Sequence, residues 1–179
     1  MPNILKSVST VVIPATKSQF SAKKEFRTNT GLPRYFYGDN YEREVKINHV
    51  VCRFRTHFGD KVEEPSASHT LCYANLQERA TDESILAEIG GEEKAETTLT
   101  AMFRLMEKQN NGQNGVLLTG HGRNVFYVRN QNGTLCSVVV GWNDNGWHID
   151  AEPAKANPQY GWIGEIRVFY PSAKTEPAF

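Results

Sequence analysis

Val125-Phe126-Tyr127-Val128-Arg129 is followed by Asn130-Gln131-Asn132-Gly133, then by Thr134-Leu135-Cys136-Ser137-Val138-Val139-Val140-Gly141-Trp142. Asn143-Asp144-Asn145-Gly146 comes next, and then Trp147-His148-Ile149-Asp150-Ala151. Runs of β-branched and aromatic residues separated by Asn/Asp/Gly clusters read as strands joined by hairpin turns. Asn-Gly is favoured there because both central residues of a type I′ turn need positive φ. The stretch predicts an antiparallel β-meander, which sets a rigid scaffold but names no chemistry.

Outward from the meander, Val116 to Leu118 reads as a short strand leading into Thr119-Gly120-His121-Gly122-Arg123. Downstream, a Pro-containing loop from Glu152 to Gly161 precedes a last strand, Ile163 to Phe169. The middle of the chain is helical. Thr81 with Asp82, Glu83 and Ser84 starts a short helix, acidic in the first turn where the dipole favours it, and Gly90-Gly91 stops it. Glu92 to Asn110 predicts one long helix, with Ala95, Leu99, Met102, Phe103 and Met106 as a single apolar stripe. In the first third, Lys6 to Ile13 is a strand ending at Pro14, and Phe20 to Phe26 is ambiguous. Tyr41 to Phe58 is a long extended candidate. Val50, Cys52, Phe54, Thr56 and Phe58 alternate with Val51, Arg53, Arg55 and His57, which predicts a half-buried strand with a basic outer face. His69 to Ala74 is a further short strand.

The order β, α, antiparallel β predicts an α+β fold: an antiparallel sheet including the C-terminal β-meander, with one long and one short helix packed on one face. One domain spans 1–179. It divides into a β-rich basic segment (1–65), an acidic helical segment (75–112), the β-meander (113–170) and a loose tail (171–179).

At 179 residues, 39% hydrophobic and 22% charged, the chain can bury a sizeable core without a disulfide or metal staple. Three cysteines, Cys52, Cys72 and Cys136, are too few and too odd for a disulfide framework and read as reduced core thiols. No apolar run is long enough to span a bilayer, and Val11-Val12-Ile13 is too short for a signal-peptide core, so no membrane association and a cytoplasmic location are expected. Net charge is zero but uneven. Residues 1–61 hold 11 Lys/Arg and 5 Asp/Glu, and residues 62–108 hold 4 and 10. The simplest consequence is that the acidic segment packs beside the basic one.

The five histidines, His49, His57, His69, His121 and His148, show no metal-ligand spacing, and no CxxC, P-loop, GxGxxG or GxSxG occurs, so neither a metal nor a cofactor is expected. Gly120-His121-Gly122 resembles the general-base segment of caspase-like peptidases. That family also needs a Cys after a second parallel strand, whereas Cys136 lies in a predicted antiparallel one. Leu71-Cys72-Tyr73-Ala74 resembles the nucleophile step of papain-like peptidases. The resemblance implies Cys72 at a helix N-terminus, His121 as its ion-pair partner and Asp150 as the residue that orients the His. Aromatics interleaved with Lys46, Arg53 and Arg55 could form a stacking platform for single-stranded nucleic acid. Trp142 and Trp147 flank a hairpin turn and read as a cross-strand pair, or else as a binding surface. Tyr35-Phe36-Tyr37 cannot all face one core, so Tyr35 and Tyr37 are expected to contribute to a partner surface.

The leading expectation is a soluble, non-catalytic interaction protein, with a protein partner or a second copy of itself. A papain-like hydrolase is the first alternative, and nucleic-acid binding the second.

Overall fold

In a computed structural model that describes residues 3–27, 45–156 and 160–173, the described residues form nine strands and five helices. The chain begins β1 (Leu5–Ile13), β2 (Phe20–Ser21), α1 (Ala22–Glu25), β3 (Ile47–Val50) and α2 (Cys52–Phe58). There follow β4 (Val62–Glu63), β5 (His69–Leu76), α3 (Asp82–Ile89), α4 (Glu92–Ala95) and α5 (Leu99–Lys108). It closes with β6 (Arg123–Arg129), β7 (Leu135–Asn143), β8 (Gly146–Pro153) and β9 (Ile166–Pro171). Seven strands form one sheet in the order β1-β5-β9-β6-β7-β8-β3, and β2 pairs with β4.

The meander is β6-β7-β8, each strand antiparallel to the next. Its turns differ from the expected type. Among the described residues no non-glycine residue has positive φ, so Asp144 and Asn145 exclude type I′. In the first turn Gly133 N–H donates to Asn130 O (3.0 Å) and Gly133 alone takes φ 82°, a tight turn closed by a left-handed glycine.

The sheet is mixed, not antiparallel as the alternation suggested. β9 lies parallel to β6, and β3 parallel to β8. β9 is also no continuation of the meander, because it inserts between β5 and β6. Nor do the helices share one face. Ile85 and Leu86 of α3 and Ala95 of α4 bury against Val125, Tyr127, Ile166 and Val168. Phe54 and Phe58 of α2 and Leu99, Met102 and Met106 of α5 bury among Phe126, Val138, Val140, Trp147 and Ile149 on the other side. Each such side chain contributes about 1.5–3 kcal/mol on full burial.

Two segments correct the sequence reading. Cys52 to Phe58 is helix, not strand. Of the five residues assigned to the inner face, Val50, Phe54 and Phe58 are buried, while Cys52 and Thr56 are exposed. Phe54 and Phe58 stand four apart, a spacing that fits a helix as well as a strand. The long helix from Glu92 is broken into α4 and α5. Between them Glu96 bridges Tyr127 in parallel, and Thr97 donates its N–H (2.7 Å) and hydroxyl (3.0 Å) to Tyr127 O. β9 pairs with β6 only as far as Phe126, so Glu96 takes the next place beside β6. Through that gap the chain passes from the α3–α4 face to the α5 face. A continuous helix could not cross the sheet.

Other expectations fare better. α3 starts at the Thr81 cap, whose hydroxyl accepts from Ser84 N–H, and ends at left-handed Gly90. The strands expected at 6–13 and 69–74 form as β1 and β5, while the last strand is shifted to Ile166–Pro171. Val116–Leu118 forms no strand. Instead Gln109 grips Leu117 through both backbone groups. Of the three cysteines expected in the core, only Cys136 is buried. No helix among the described residues is long and apolar enough to cross a membrane.

Candidate functional site

The residues of the papain-like reading are placed far apart. Cys72 lies inside β5, between Thr10 of β1 and Tyr170 of β9, not at a helix start. His121 is exposed two residues before β6, whose first residue, Arg123, faces Ile166. The levels of Ile166 and Tyr170 differ by four residues of β9, on the order of 13 Å, so Cys72 and His121 occupy opposite ends of the sheet. Asp150, on β8, is engaged by Arg53 instead.

Arg53 and Arg55 stand on α2. Arg53 reaches Asp150 through Nε (3.2 Å) and Nη2, and Glu152 through Nη1. The acidic partners of this arginine therefore come from β8, not from the helical segment at Glu88 to Glu96. That segment pairs with Arg129, whose guanidinium holds Glu92 (3.2 Å) and Glu96 (3.0 Å). Arg55 borders a groove of about 250 Å³ whose walls include Phe26, Val50 and Phe54. Trp142 and Trp147 are Cα partners with rings 5.3 Å apart and 75° between planes. Trp147 is fully buried and donates to Gln109 O (3.0 Å). Trp142 covers Gly112, where an added Cβ would stand 2.1 Å from the indole. The pair is thus engaged within the fold. Tyr35 and Tyr37 lie outside the described residues.

A half-buried polar cluster escaped the sequence reading. Asp82, first residue of α3, accepts at one oxygen from Tyr127 Oη and Trp162 Nε1 (both 2.7 Å) and at the other from Ser137 Oγ (3.3 Å). Burial pushes its carboxyl above the ordinary range, against the lowering effect of those three bonds. Burial and the Asp82 charge push the Tyr127 phenol well up. With three donors satisfied on one carboxylate, the cluster ties helix, sheet and the Trp162 loop together. In sequence, Asp82 looks like an ordinary first-turn acid, and its partners come from 45 to 80 positions away.

Among the described residues no group of three or more His, Cys, Asp or Glu is gathered as a metal site. What the fold leaves open is an edge. Among the described residues β1 pairs with β5 on one side only. Of its nine residues only Ile13 is buried, and Val8 and Val12 are 45% and 57% exposed. A bulge at Val8 breaks the ladder between Ser7 and Ser9, leaving Ser9 to Ile13 as the regular half. Beside it on the same face, Thr10, Val12, Thr70, Cys72 and Tyr170 remain half-buried or exposed. The helices α3 and α4 cover that face elsewhere.

The chain matches no protein-family model, no curated protein and no solved structure.

Proposed function

We propose that this protein is a non-catalytic interaction module that takes an extended segment of a partner along the outer edge of β1. The observation that carries this reading is a nine-residue strand that buries one residue. Such a strand adds little to its own core, yet among the described residues its outer backbone groups have no strand partner, and so it forms a template for strand addition. Val12 and the open face at Thr10, Thr70 and Tyr170 supply apolar and hydroxyl contacts beside the regular half. The bulge at Val8 and the charge of Lys6 confine docking to Ser9–Ile13, since both discourage pairing at an edge. Nucleic-acid binding through Arg53 gains no support, because that guanidinium already carries two carboxylates.

The test uses a fluorescein-labelled nonapeptide of alternating Thr and Val, followed by anisotropy. Saturable binding to the wild type is expected. Val12→Lys should weaken it, and N-methylation of alternate peptide amides should abolish it, because the methyl removes ladder donors. Binding indifferent to both changes would overturn the reading.

A further inference from the structure

We propose that His49 and His148 form a binding site for a borderline divalent transition metal ion, with copper(II) the tightest-bound. The two residues are Cα partners on the parallel pair β3–β8, with rings 5.1 Å apart and 28° between planes. Their pairing depends on an irregularity. Ile47 faces Trp147, but the register then slips by one residue, so that Asn48 is passed over and His49 faces His148. In an unbroken ladder His49 would face Ile149. Bulges of this kind re-aim side chains and recur beside functional sites. Gly146 prepares the slip. At φ 135° it lets β3 approach so closely that an added Cβ would stand 2.8 Å from Lys46 O and 2.9 Å from Asn48 N.

Both imidazoles can be reached from solvent, since both residues are exposed. A neutral imidazole keeps one ring nitrogen with a free lone pair. Two exposed rings on adjacent strands can turn their free nitrogens towards one ion at about 2.0–2.1 Å. On the next strand Gly141 stands beside His148 without a side chain, its position bounded by Gly122 O and the Arg123 side chain. Imidazole donors favour copper, nickel and zinc over magnesium and calcium, and copper(II) heads the affinity order.

The experiment is titration of the full chain with copper(II) at pH 7, read by electron paramagnetic resonance and by thermal unfolding. A one-to-one complex with nitrogen hyperfine structure is expected, with a rise in Tm from binding to the native state alone. Both signals should be lost in His49→Ala and in His148→Ala, and both should persist when His57, His69 and His121 are replaced together. Magnesium should give no shift. Copper binding that survives His49→Ala and His148→Ala, or no binding by the wild type, would overturn the proposal. The outcome is independent of strand addition at β1, which lies at the opposite edge of the sheet.

Discussion

At the scale of single residues, Asp82 shows how a half-buried carboxyl is held at a sheet–helix junction. Three donors hold the carboxylate, yet burial still raises its pKa above the ordinary range. The folded state therefore holds the proton more tightly than the unfolded chain. That contribution to stability is fully present below the unfolded pKa and is lost as pH rises through the raised folded value. Asp82→Asn cannot ionise, so the stability of wild type relative to this variant should increase as pH falls from 7 towards 4, as urea unfolding at a series of pH values will show. Asp82→Ala removes the acceptor from Tyr127 and Trp162 and should cost about 3 kcal/mol, since each buried donor left unpaired costs about 1–3 kcal/mol. The cluster was not legible in advance, because its partners meet only once the sheet exists. The Trp142–Trp147 pair was legible, because it needs only the local turn between the two residues.

At the scale of elements, the sequence reveals a secondary structure best where one period fits and fails where two do. The meander and α3 carry their own stops: Gly133, Gly146, and Thr81 with Gly90. Phe54 and Phe58 suit either period, and the choice of helix follows from β3 ending at Val50 and from the burial of those two rings. The break between α4 and α5 has one local signal, the Thr98 N-cap. The apolar stripe runs through it, and only the β6–β9 gap reveals why the helix must stop. α5 also depends on a distant residue. Glu63 of β4 accepts from Leu99 N–H and Thr100 N–H (both 2.8 Å) and from the Thr100 hydroxyl, beside the Thr98 cap on Ala101 N–H. Glu63→Ala leaves the first-turn amides without this acceptor and should lower stability by about 1–2 kcal/mol. Glu63→Gln should lose less, measured as a shift of the urea midpoint at constant m-value.

At the scale of the whole molecule, an α+β class was legible, but the mixed sheet was not. Parallel pairings join strands distant in sequence, and no turn residue announces them. The same sheet carries both apolar clusters on its two faces, with Phe126 on one side and Val125 and Tyr127 on the other. Neither cluster can lose its wall alone, so Trp fluorescence and far-UV circular dichroism should report one coincident unfolding transition. The position of β9 has a further consequence. Of the described strands, the one that comes latest in the chain is the one that joins β1-β5 to β6-β7-β8-β3. Until residue 171 has emerged, a nascent chain holds two separate half-sheets, each with a raw inner edge. Closure must wait for translation to pass that point, and chaperone occupancy on stalled chains should fall sharply once β9 clears the exit tunnel.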